Sequence, residues 1–176
     1  MELRMSRRLA VFMALSFFVT VAIPSAPAIE TTNPYGTSTV DPAGPNEVIL
    51  TISKGGKKSE FAYARLMKMK SQTISIYEPF LKKRQTFTVI PIERFFLLVG
   101  IKGSDKVATR ALNDYVYTNS ASAFIKAGAL VAIKRSGKDI PYDQGGPIRL
   151  IYGDKSIWAK ELDAWNWSIT SITVKK

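Results

Sequence analysis

The sequence contains neither cysteine nor histidine. Without cysteine there is no disulfide, no thiolate nucleophile and no thiolate ligand for a transition metal. Without histidine the usual serine triad and the usual zinc sites are excluded, together with the side chain that most readily exchanges protons near neutrality. Acidic residues are scarce beside basic ones: 14 Asp and Glu face 25 Lys and Arg, a formal net charge of +11. Neither a phosphate-cradling glycine loop nor an internal repeat is present.

The N-terminus has the pattern of an export signal. Arg4, Arg7 and Arg8 precede an apolar run from Leu9 to Ile23, and Ala26-Pro27-Ala28 supplies a small-residue cleavage site. Cleavage is expected after Ala28, giving a signal peptide over 1–28. A membrane anchor is the competing reading, but it needs about 20 apolar residues, and this run is shorter and ends at Pro24. Ser6-Arg7-Arg8 is similar to a twin-arginine signal, which exports folded, cofactor-loaded proteins; Ala10 stands where that signal carries a bulky apolar residue, and Sec export is the alternative. The protein is expected to be periplasmic or secreted, with no transmembrane segment after cleavage.

Cleavage leaves 148 of the 176 residues, enough for one domain with its own core. It removes three basic residues and one acidic residue, so the remainder keeps a net charge of +9. Export argues against nucleic acid as a partner. A basic exported domain meets anionic lipid, cell-wall polymer, an acidic protein or a phosphorylated ligand. Lacking cysteine in an oxidising compartment, it must be held by its core without a disulfide.

Residues 29–46 are rich in Thr, Pro, Gly and Ser and read as an extended lead-in carrying no core, before a single domain over 47–176. Val48, Leu50 and Ile52 alternate within a strand from Glu47 to Ser53, which Lys54-Gly55-Gly56-Lys57 closes with a turn. Ser59 is expected to cap a short helix running to about Met69, followed by a strand from Thr73 to Tyr77. The clearest helix lies between Pro91 and Gly100, with Ile92, Phe95, Phe96 and Val99 on one core-facing stripe. Strands are predicted at Val107–Ala111, Asp114–Tyr117, Ala129–Ile133, Ile148–Tyr152 and Ser168–Val174, with Ile169, Ile172 and Val174 turned inward in the last. Asn119 or Ser120 can cap a short helix ending near Gly128, and Ser136-Gly137 marks a turn. The spacing lacks a regular strand and helix alternation, which predicts an irregular, mostly-β α+β domain with short helices.

Four segments in order carry a family resemblance. They are Ile90-Pro91-Ile92-Glu93-Arg94-Phe95-Phe96, Ala111-Leu112-Asn113-Asp114-Tyr115, Gly145-Gly146-Pro147-Ile148-Arg149-Leu150-Ile151 and the closing strand Trp167 to Val174. Together they resemble the oxidoreductase molybdopterin-binding domain of the sulfite oxidase fold, from about Val48 to Val174. The resemblance implies molybdenum held by a single cysteine thiolate placed before the helix at Pro91 to Gly100. The corresponding stretch here, Thr73 to Pro79, offers Tyr77 and Glu78 and no sulfur donor. The family's enzymes also carry a longer region ahead of this point that completes the cofactor pocket. No metal ligand is therefore assigned and no cofactor is expected, with molybdopterin retained as what the resemblance implies.

The same resemblance implies cofactor-binding candidates at Asn113, Asp114, Tyr115, Gly145, Gly146 and Arg149. Gly145-Gly146-Pro147 reads either as a plain turn or as backbone amides approaching a ligand, with Arg149 ready to grip a phosphate or carboxylate or to meet a buried carboxylate such as Asp114. Tyr115 reads as a half-buried strand tyrosine or as the family's pocket tyrosine, which orients a substrate oxyanion or passes a proton and is the sole catalytic candidate. Asn113 and Asp114 equally suit a turn. Lys54 with Lys57 and Lys58, Lys82-Lys83-Arg84, and Lys134-Arg135 with Lys138 read as solvated loop tips, or as an anion site if they converge. Trp158, Trp165 and Trp167 are expected to close the core rather than stack a ligand, with an exposed pair marking a partner surface instead. Three functions follow: a non-redox binder of a small anionic ligand or a protein, a molybdopterin oxidoreductase with an oxygen ligand, or an accessory or sensory subunit for a membrane-associated protein partner.

Overall fold

The computed structural model describes residues 43–175, so the expected signal peptide and most of the lead-in lie outside the described residues. Ala43, at the end of the lead-in, is buried against the core, which corrects the expectation that this segment contributes nothing to it.

Nine strands and three short helices follow: β1 (Val48–Lys54), β2 (Lys57–Ala62), α1 (Tyr63–Met67), β3 (Gln72–Glu78), β4 (Lys83–Pro91), α2 (Ile92–Val99), β5 (Lys106–Ala111), β6 (Val116–Ser120), α3 (Ala121–Lys126), β7 (Leu130–Arg135), β8 (Arg149–Ile151) and β9 (Ile169–Val174). They form a five-stranded sheet in the order β2-β1-β9-β5-β6 and a four-stranded sheet in the order β3-β4-β7-β8. Pairing is antiparallel except between β1 and β9, which run parallel from opposite ends of the domain sequence. Among the described residues no helix is long and apolar enough to cross a membrane.

The helix α2 forms where the apolar spacing places it. Ile92, Phe95, Phe96 and Val99 are buried, each burial stabilising the fold by roughly 1.5–3 kcal/mol, and Gly100 stops the helix in the left-handed region. Phe95 meets Phe61 edge to face at 5.5 Å, and Phe96 meets Phe124 at 6.4 Å. From Phe124 the rings continue through Trp158 (5.3 Å) to Tyr152 (5.6 Å) and Trp165 (5.7 Å). Trp158 and Trp165 thus close the core as expected.

Three local expectations are corrected. Ser59 lies in β2 and caps no helix; α1 begins at Tyr63, because the Gly55-Gly56 turn folds Lys57–Ala62 back onto β1. β4 is not predicted by the sequence, since its first half is polar and exposed and its apolar alternation begins at Phe87. Asp114 takes φ 65° in a turn, so β6 begins at Val116. Ser120 does cap α3, its hydroxyl accepting the Ala123 N–H at 3.1 Å.

Local ion pairs engage several of the basic side chains. Lys54 reaches Asp105 at 2.5 Å, Arg84 reaches Asp154 at 2.5 Å, and Lys134 reaches Asp139 at 2.8 Å; Lys58 also pairs with Glu60. Lys54 lowers the pKa of Asp105, Lys134 that of Asp139, and the Tyr77 N–H with Arg84 that of Asp154, all from the ordinary 3.8. A carboxylate depressed in the folded state contributes stability above its unfolded value and loses it as the pH falls through the folded value. The unfolding free energy should therefore drop as the pH falls below about 4 and through the lowered folded-state values. Chemical denaturation should show a shallower drop in the variant combining Asp105→Asn, Asp139→Asn and Asp154→Asn.

Candidate functional site

Two chain segments between core strands build an aromatic cleft with a polar edge. After β5 the chain turns through Leu112, Asn113 and Asp114, where Asn113 Oδ1 accepts the Tyr115 N–H at 3.3 Å and the Ala111 N–H donates to the Tyr115 carbonyl at 2.8 Å. Asn favours this turn because its side chain replaces a backbone acceptor. Opposite, a 3₁₀ turn at Leu162–Ala164 leads through Trp165, Asn166 and Trp167 into β9. Backbone bonds from Leu112 N–H to the Ser168 carbonyl (2.9 Å) and from Leu150 N–H to the Asn166 carbonyl (2.8 Å) hold the two segments to the sheets.

Between them opens a cleft of about 300 Å³, lined by Phe80, Asn113, Tyr115, Asp163, Asn166 and Trp167 with neighbouring apolar side chains. Phe80 stands edge-on to Trp167 at 5.0 Å and to Trp165 at 6.3 Å. The Tyr115 hydroxyl donates to the Asp163 carbonyl at 3.0 Å, and burial, with the Asp163 charge, raises its pKa above the ordinary 10.0. It is therefore a neutral hydroxyl at neutral pH and no base. Asn166 is 1% exposed and donates to the Thr109 carbonyl (3.0 Å) and Thr109 Oγ1 (3.1 Å). Its Oδ1 and the Nε1 of Trp167 are buried without a protein partner. Among the described residues no lysine or arginine lines the cleft.

Behind the Trp167 wall lies a buried ion pair. Arg149 Nη2 donates to Glu78 Oε1 at 2.7 Å, with both side chains fully buried. Glu78 Oε2 accepts the Leu81 N–H at 2.6 Å. The guanidinium lies 4.2 Å from the centre of the Trp167 ring and 6.0 Å from that of Phe87. Burial pushes its pKa down to about 10 against the opposing pull of Glu78, so it remains charged at neutral pH.

The sequence candidates divide accordingly. Asn113 and Tyr115 line the cleft. Asp114 does not; it is exposed and pairs with Arg110 at 2.9 Å, and it is not the carboxylate that meets Arg149. Arg149 lies behind the wall, engaged with Glu78. Gly145 and Gly146 are packing positions: a Cβ on Gly145 would stand 2.8 Å from Trp167 Cδ2, and one on Gly146 would stand 1.6 Å from the Ile140 carbonyl oxygen. Phe80, Leu162, Asp163, Asn166 and Trp167 were not legible as site residues, their one signal being the aromatic density of Trp165-Asn166-Trp167.

The two sheets, three short helices and their connections resemble the sulfite oxidase fold. No protein-family model and no curated protein matches the sequence. Among solved structures, the chain is similar to the sulfane dehydrogenase SoxCD from Paracoccus pantotrophus, with a TM-score of 0.58 and 11% identity over 74% of this chain. This chain covers 39% of that one's length. At such identity the likeness is one of fold, and it agrees with the resemblance carried by the four sequence segments.

Proposed function

We propose that the protein is an exported, non-redox binding protein that takes a small ligand with a planar apolar body and an uncharged polar edge into the Phe80–Trp167 cleft. The observation that carries this reading is the combination of aromatic walls with amide and hydroxyl groups and, among the described residues, no lining cation. Such a site gains from burying a flat apolar surface and has nothing to neutralise an anion. The small anion expected from the overall charge is thus not what this cleft favours.

A pterin-held molybdenum does not fit the residues present. The chain has no sulfur ligand of the thiolate kind, and both oxygens of Glu78, in the stretch where the family's ligand falls, are engaged by Arg149 and by the Leu81 N–H. Among the described residues no arginine or lysine in the cleft stands ready for the pterin phosphate.

Two measurements test the reading. Protein exported by its native host should contain neither molybdenum nor a pterin that fluoresces after oxidation; molybdenum approaching one atom per chain would overturn it. In solution, 2-naphthol should shift the indole N–H resonances of Trp165 and Trp167 more than that of Trp158. The same ring carrying a sulfonate should bind about tenfold more weakly, the cost of a modest unpaired burial. A preference for the sulfonate would restore the anion reading.

A further inference from the structure

We infer that the open edge of β3 is a docking site for an extended acidic segment of a partner protein, which adds to the sheet as a strand. β3 pairs with β4 and, among the described residues, has no strand on its other side. In an antiparallel pair, residues alternate between those that bond the neighbouring strand and those whose backbone groups face away. The Tyr77 N–H donates away from β4, to Asp154 Oδ1 at 2.7 Å. The two-residue period then turns the backbone groups of Ser75 and Thr73 outward as well. The Ser75 carbonyl agrees, accepting Arg84 Nη1 at 3.4 Å. Asp154 therefore occupies the position of a neighbouring strand's acceptor at one end of the edge, while Thr73 and Ser75 are exposed at the other.

Beside this edge runs a groove of about 540 Å³ with Ile74, Ile76 and Leu130 among its apolar residues and Lys126 and Lys155 among its charged ones. Both lysines are exposed, and neither has an ion-pair partner among the described residues. The groove's acid, Asp154, is already matched by Arg84 at 2.5 Å. An extended chain added at Thr73–Ser75 presents alternate side chains to the two faces of the sheet. Acidic side chains on the groove side would meet its unmatched lysines, their methylene stems lying against Ile74 and Leu130, while the alternate apolar ones face the other side of the sheet. Backbone bonds supply the register, and charge selects the partner.

The probes are two labelled seven-residue peptides, one alternating Glu and Val, the other alternating Lys and Val, titrated into the full mature chain. The Glu-Val peptide should bind, weaken as salt rises, and slow hydrogen exchange at the Ser75 amide; the Lys-Val peptide should not bind. Ser75→Pro removes an N–H that faces away from β4, a position where an edge strand tolerates proline. It should reduce peptide binding at least about tenfold while leaving the melting temperature near that of the parent. Lys126→Glu combined with Lys155→Glu should reverse the peptide preference, and this variant decides the matter if Ser75→Pro fails to fold. The inference is overturned if the two peptides bind alike, if neither binds, or if folded Ser75→Pro retains full affinity. It is also overturned if β3 instead joins a second copy of the chain, seen as a dimer that Ser75→Pro dissociates.

Discussion

Arg149→Met is expected to destabilise the protein by about 3–5 kcal/mol, because it strands the Glu78 carboxylate in the interior without a counter-charge. Both members of the pair have no exposed side-chain surface, so water cannot take over the lost partner. The Trp167 ring also loses the cation at 4.2 Å behind it, a smaller contribution. Adding Glu78→Gln should recover most of the loss. The neutral amide needs no counter-charge, and its oxygen can still accept the Leu81 N–H that Glu78 Oε2 now takes. Denaturant unfolding of the single and double variants at neutral pH checks both statements. A cost below about 1 kcal/mol for Arg149→Met alone would mean that the pair contributes no more than an exposed one.

Gly146→Ala should be comparably severe, at about 4 kcal/mol or more, or should yield no folded protein. The added Cβ would lie 1.6 Å from the Ile140 carbonyl oxygen, 2.4 Å from its carbon and 2.8 Å from the Pro141 oxygen. All three are backbone atoms, so no side-chain rotation relieves the overlap and residues 140–146 must move together. That movement would break the Gly146 N–H bond to the Pro141 carbonyl at 2.8 Å. Gly145→Ala should be milder, although φ of +83° disfavours a side chain there and its obstacle is the Trp167 ring. Thermal unfolding of the two variants measures the order directly. Because Gly145 abuts the same ring that walls the cleft, Gly145→Ala should also weaken 2-naphthol binding; Gly146→Ala is read by stability.

Where a segment's apolar pattern matches the surface it buries, its structure was legible. The stripe Ile92, Phe95, Phe96 and Val99 between a proline and a glycine has one reading, and the structure has that helix. Ile169 and Ile172 likewise turn inward from β9. Ser59 misleads because a serine before a mixed sequence suits a helix cap and a hairpin strand equally, and the choice depends on β1 lying alongside. β4 escapes because Lys83 to Thr86 lie on the exposed part of a long hairpin, where no apolar alternation is needed.

Asn113 and Tyr115, singled out by the family resemblance, line the cleft, while Phe80 and Asn166 carried no signal of their own in the sequence. Those two lie far apart in sequence, and their roles come from meeting Trp167 and Thr109 across the fold. Arg149 carries the same lesson in a sharper form. Placed between Ile148 and Leu150, it invited a ligand or a carboxylate, with Asp114 as the named example. The carboxylate is Glu78, 71 positions away.

By itself the sequence determined the mostly-β character, the main helix, the turn at Gly145-Gly146 and the exclusion of thiolate and imidazole chemistry, because each depends on residue type and short-range spacing. The tertiary structure alone decided that Glu78 is committed to Arg149, that Phe80 and Trp167 wall one cleft, and that β3 ends its sheet with Thr73 and Ser75 exposed. Those outcomes depend on which distant segments share a dry interior or a sheet edge. That selection is made by the packing of the whole chain, and no local pattern encodes it.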